Sequence, residues 1–232
     1  MRRKIKCYVA YTTFLYRLLG VALIPCAFWV LCGILLWLDY GRGGEGFSVG
    51  RGYALYFAFS VYIVLYEIFT DFWVLGGCFS DAGKGLRYFM ISYSGVEVMG
   101  NIVSVDLIRR FLYCMIYSGI IFWFTGWKTS LVLGLAMYCV IVGVLHGSRH
   151  IDGLQRNTGI AILAQIGMTL VNVANVFLLD LAGEGEGIMM AVLAVLYGVA
   201  ALWLSRWMVR RVTARIQRND GKRGKERSGY QV

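Results

Sequence analysis

Apolar runs separated by short polar or glycine-rich stretches recur six times along this chain. A helix rises about 1.5 Å per residue, so about 20 apolar residues cross the roughly 30 Å of bilayer hydrocarbon. The runs 14–38, 53–75, 108–124, 129–145, 159–179 and 188–208 are predicted to do so. Hydrocarbon offers no partner to a free backbone N–H or C=O, so each run must be helical. Only residues 125–128 separate the third and fourth runs, which predicts a tight hairpin. The expected fold class is therefore all-α, a polytopic membrane protein with six transmembrane helices.

Lysine and arginine set the orientation, because short cytoplasmic loops carry an excess of them. Arg2, Arg3, Lys4 and Lys6 precede the first span. Lys84, Arg87, Arg109 and Arg110 lie between the second and third, and Arg149 and Arg156 between the fourth and fifth. Arg206, Arg210, Arg211, Arg215, Arg218, Lys222, Arg223, Lys225 and Arg227 mark the end of the last span and the tail. With six spans all of these fall on one side. The other side holds Arg42, Arg51 and Lys128 beside Asp39, Glu45, Asp180, Glu184 and Glu186. The expectation is N-in and C-in, in the plasma membrane of a bacterium.

Composition agrees with a membrane chain: of 232 residues, 59% are hydrophobic and 16% charged, unlike an ordinary soluble domain. The net charge of +10 is read as topology signal against anionic lipid headgroups, not as a nucleic-acid surface. Cys26, Cys32, Cys114 and Cys139 fall within spans, and Cys7 and Cys78 on the cytoplasmic side, so no disulfide framework is expected. The first apolar run is too long for a signal-peptide core and is read as a retained helix. Tyr8, Tyr11, Tyr16, Trp37, Trp123, Trp203 and Trp207 lie near the expected interfaces and read as an aromatic belt. Pro25 is the single proline and should kink the first helix.

Residues 1–212 make one membrane domain, and 213–232 form a basic cytoplasmic tail rich in polar residues, for which disorder is expected. A stretch over 205–218 is expected to continue the last helix into the headgroups. The outer loops 39–52 and 180–187 are short and glycine-rich. The inner segment 76–105 is longer. Gly76–Gly77 should end the second helix. Within 84–92 (KGLRYFMIS), Leu86, Phe89 and Met90 stand at i, i+3 and i+4, with Lys84 and Arg87 elsewhere. That pattern predicts an amphipathic interfacial helix. Ser94–Gly95 breaks it, and a new helix is expected near Val96, feeding the third span.

Enzyme signatures were sought in vain. The chain has no P-loop or His-Glu-x-x-His sequence, which weighs against nucleotide and zinc-protease chemistry. His146 and His150 are four apart but lack an evident third ligand. Cys139 and His146 are separated by roughly 10 Å along a helix, too far for a nucleophile and its base. No metal or cofactor is expected on this chain. Polarity inside the spans is more informative. Glu67 and Asp71 share a face of the second span, and intramembrane acids are functional by default; pairing with Arg109, Arg110 or Arg149 is the structural alternative. Gln165, Thr169, Asn172 and Asn175 form a second stripe on the fifth span. Interhelical hydrogen bonding and a pathway lining explain that stripe equally well.

Six helices, inward termini and a structured elbow between helices 2 and 3 resemble the membrane subunits of type-2 ABC exporters. The segment Asp81-Ala82-Gly83-Lys84-Gly85-Leu86-Arg87-Tyr88-Phe89-Met90-Ile91-Ser92-Tyr93-Ser94 is similar in form and place to that family's coupling helix. Many members have a proline where this chain has Ser94, and a larger segment between helices 5 and 6. The resemblance implies a permease subunit without its own ATPase. Lys84, Leu86, Arg87, Phe89 and Met90 would contact a separate P-loop ATPase that binds ATP and Mg²⁺. A second permease copy or a relative would complete the unit. The implied cargo is a peptide, a lipid or a small hydrophobic compound. The alternative is an ion- or proton-coupled carrier or substrate-capture subunit that uses Glu67 and Asp71; a membrane-embedded enzyme stands third.

Overall fold

The computed structural model describes residues 2–12, 14–41, 54–63, 65–66, 95–125, 128–146 and 159–228. Among them every regular element is helical. Helix α1 is Arg2–Tyr11. Helix α2 runs on from Phe14–Tyr16 through wide π-type turns over Arg17–Leu23 into regular helix over Ile24–Gly41. Helix α3 is Ala54–Ile63 and α4 is Gly95–Thr125. Helix α5, Thr129–Val140, widens into π-type turns over Ile141–His146. Helix α6 is Gly159–Ala182. After a single 3₁₀ turn over Gly183–Gly185, helix α7 is Glu186–Ser228.

Three stretches are long and apolar enough to cross a membrane: Phe14–Leu38, Gly100–Thr125 and Gly183–Ala214. Ala54–Ile63, Thr129–Gly143 and Gln165–Leu179 are shorter apolar helices. These six fall on the six predicted runs. Leu170, Val173 and Phe177 of α6 and Val195, Val199 and Leu202 of α7 are exposed. Apolar faces that continuous belong against lipid, not water.

Helix α4 is the hub, packed against α1, α2, α5 and α7. Ile102, Leu107, Cys114, Tyr117 and Ile121 bury along it. Aromatic stacking joins it to α2 and α3: the Phe59 and Tyr117 ring centroids are 3.6 Å apart and those of Phe28 and Tyr62 are 3.7 Å apart. The predicted hairpin between α4 and α5 is present, with Leu131 N–H donating to the Lys128 carbonyl at 3.1 Å. A Cβ on Gly134 would stand 2.1 Å from Ser118 Oγ and 3.2 Å from the Cys114 carbonyl. Only glycine allows so close an approach of the two helices, as small residues commonly do in membranes. Tyr56 Oη closes the same junction, donating to the Ser130 carbonyl at 2.6 Å and lying 2.9 Å from Ser118 Oγ.

Two expectations change. The third helix begins at Gly95, near the predicted Val96, and runs unbroken through Asp106, Arg109 and Arg110. Both arginines are thus buried helix residues, where the charge pattern placed them in a cytoplasmic loop. Tyr8 and Tyr16 are buried and do not join an interfacial belt, whereas Trp37, Trp123 and Trp203 are exposed as an anchoring role requires. The backbone of α7 is helical to Ser228, through the stretch 205–218 expected to continue the last helix. Glu67, Asp71 and the segment holding Lys84, Leu86, Arg87, Phe89 and Met90 lie outside the described residues.

Candidate functional site: a buried arginine–aspartate cluster

Asp106, Arg109, Arg110 and Tyr113 stand at i, i+3, i+4 and i+7 on α4, so helical geometry puts them on one face. Arg109 Nε donates to Asp106 Oδ1 at 2.9 Å, and Arg110 Nε to Asp106 Oδ2 at 2.8 Å. Arg110 Nη2 also lies 2.7 Å from Oδ2. One carboxylate therefore spans two guanidinium groups. All three side chains are shut away, with 2% exposure at Asp106, 6% at Arg109 and 1% at Arg110. Removing charges from water costs several kcal/mol per ion, so an arrangement like this survives only where each charge is met.

The tyrosines around the cluster explain why it sits where it does. Pro25 has no N–H, so it cannot satisfy a carbonyl one turn earlier. The turn before it is widened, with Ile24 N–H bonding the Leu19 carbonyl. The next two carbonyls are those of Gly20 and Val21. Tyr66 Oη donates to the first and Tyr113 Oη to the second. Arg109 Nη1 then donates to Tyr66 Oη at 2.7 Å. Its guanidinium lies 5.5 Å from the Tyr66 ring centroid and 5.1 Å from that of Tyr113, within cation–π range. Tyr8 of α1 and Tyr16 of α2 are electrostatic neighbours of Arg109. Burial pushes the Tyr8 phenol well above its ordinary value, so it stays neutral. The cluster thus ties α2 and Tyr66 to α4, and the proline's missing donor is answered by tyrosine hydroxyls that lie against the arginine.

The polar stripe of α6 is split among partners. Gln165 Nε2 donates to Ser60 Oγ at 2.7 Å, and Tyr197 Oη donates to Asn175 Oδ1 at 2.7 Å. These two bonds reach α3 and α7, as an interhelical role requires. Thr169 Oγ1 turns back to the Gln165 carbonyl at 3.0 Å. Asn172 is buried, and among the described residues its Oδ1 accepts no hydrogen bond. Cys139 Sγ contacts the Tyr197 carbonyl at 3.4 Å. Among the described residues no three His, Cys, Asp or Glu side chains gather as metal ligands would.

Sequence reasoning named both arginines but missed Asp106, the carboxylate that bridges them. The signal was present: an acid three and four residues before two bases, inside a helical run, is the commonest local ion-pair spacing. Pairing of Glu67 and Asp71 with Arg109, Arg110 or Arg149 was the structural alternative to a functional role, and both acids lie outside the described residues; among those described, Asp106, on the same helix, bridges Arg109 and Arg110.

Bilayer-length apolar helices wrapped round a sequestered charge cluster define the class: an all-helical, membrane-spanning protein. Set against protein-family models, curated proteins and solved structures, the chain matches none.

Proposed function

We propose that this chain is the permease subunit of an ATP-binding-cassette exporter, driven by a separate P-loop ATPase. In this reading all six apolar helices cross the plasma membrane of a bacterium, with both termini inside. The segregation of lysine and arginine supports that topology. One observation carries the functional reading. The amphipathic segment 84–94 ends where α4 begins, and α4 is a single 31-residue helix held to Tyr66 through Arg109 and to the α2 backbone through Tyr113. A push on 84–94 would travel along a stiff rod into α1, α2 and α5, which is how a rigid-body movement driven by nucleotide reaches a membrane domain.

Two permeases, identical or related, and two ATPases would form the working unit, with ATP and Mg²⁺ held on the ATPases. The chain's short outer loops and mostly apolar interior suit a peptide, a lipid or a small hydrophobic compound. Arg87→Glu and Phe89→Glu, made singly, are expected to release the ATPase from the solubilised complex and abolish ATP-dependent transport, with membrane insertion retained. Unchanged association in both variants contradicts the proposal and favours the ion-coupled carrier, for which Glu67→Gln is the next variant.

A further inference from the structure

Between α4, α5 and α7 lies an open cleft of about 840 Å³. Leu107, Phe111, Leu135, Val199 and Leu202 line it. Its hydroxyl groups are already satisfied: Ser104 Oγ donates to the Gly100 carbonyl, and Ser205 Oγ donates to the Ala201 carbonyl while pairing with Tyr138 Oη at 2.7 Å. The walls therefore present hydrocarbon and make no demand for polar partners. One end differs. Arg206 and Arg210 border the cleft one turn apart, both are exposed, and no ion pair involves them among the described residues. From Val195, at the apolar end, to Arg206 is eleven residues, about 16 Å of helix. That is about half of the roughly 30 Å hydrocarbon core. The cleft thus has the depth of one leaflet and a cationic rim at headgroup level.

We infer that this cleft binds an anionic phospholipid, its acyl chain along α7 and its phosphate between Arg206 and Arg210. Charge complementarity selects the occupant. A zwitterionic lipid fills the same apolar space but gains little from two arginines, whereas an anionic headgroup gains from each of them. A neighbouring face of the helix, about 100° round from Arg210, offers an internal control, since Arg211 is stacked on Trp207 with its guanidinium 5.3 Å from the ring centroid. Gly198 lines the cleft, and a Cβ added there meets nothing within 4 Å, so a large side chain can fill the space without disturbing the fold. With the orientation proposed above, the site lies in the cytoplasmic leaflet; the cleft and its arginines do not depend on that orientation.

The test is native mass spectrometry of the full chain after equilibration in detergent with equimolar phosphatidylglycerol and phosphatidylcholine of matched acyl chains. The unaltered protein is expected to retain phosphatidylglycerol preferentially. Arg206→Gln and Arg210→Gln should each weaken that retention about fivefold, and the pair about thirtyfold. Arg211→Gln should leave it unchanged, and Gly198→Phe should remove both lipids without lowering the melting temperature. Equal retention of the two lipids overturns the inference, as does an equal loss with Arg211→Gln. So does a lipid-free dimer that Gly198→Phe disperses, which would place a second copy of the chain in the cleft. None of these outcomes involves the ATPase, so failure here is distinguishable from failure of the exporter reading.

Discussion

Asp106 is the residue on which most depends, because it stands between two buried guanidinium groups. Removing one partner of a buried ionic network leaves charge uncompensated, a loss of about 3–5 kcal/mol. Asp106→Asn is therefore expected to destabilise the protein by at least about 3 kcal/mol, read from unfolding in mild detergent. A change below about 1 kcal/mol would mean that the arginines are neutralised by other groups. Pro25 and Tyr113 make a sharper test. Tyr113→Phe leaves the Val21 carbonyl without its hydroxyl donor, at about 1 kcal/mol. In a Pro25→Ala background the restored N–H can take that carbonyl, so the same substitution should cost much less. Purely additive effects in this double-mutant cycle would break the link between the proline and the tyrosine.

Among the elements, the α4–α5 hairpin is the closest contact. Gly134→Ala drives a Cβ into Ser118 and toward the Cys114 carbonyl. Overpacking of this kind typically costs 1–3 kcal/mol, so a loss of about that size is expected. Gly119→Ala, in α4 where an added Cβ meets nothing within 4 Å, should be neutral or slightly stabilising. Equal effects at the two glycines would show that close approach at Gly134 does not govern the junction. How legible the elements were follows from their chemistry. Long apolar periodicity located all six apolar helices, and Thr125 and Lys128 bound the hairpin as the polar gap between them implied. The start of α4 was legible from the Ser94–Gly95 break. Burial of Arg109 and Arg110 was not, because the positive-inside rule counts charges without asking which are already paired nearby. The helical character of α1 was also hidden, since its Arg and Lys residues read as a topology signal, while Tyr8, its buried contact, read as an interfacial anchor. Pro25 announced a distortion in α2, yet nothing in one sequence says which tyrosines from other helices will answer it.

For the molecule as a whole, topology and partnership are the claims with consequences. The proposed orientation, with both ends in the cytoplasm, predicts that a fluorescent protein fused after Val232 glows and that alkaline phosphatase at the same point is inactive. Alkaline phosphatase placed in 42–50 should be active. The reverse pattern would invert the chain and move the Arg206–Arg210 rim to the outer leaflet. The most direct measurement is purification of the protein from its native membranes in mild detergent, with stoichiometric mass spectrometry of what accompanies it. The exporter reading predicts a P-loop ATPase in a one-to-one ratio with the permease chains. A homogeneous homo-oligomer with no ATPase, active in transport without ATP, would contradict it.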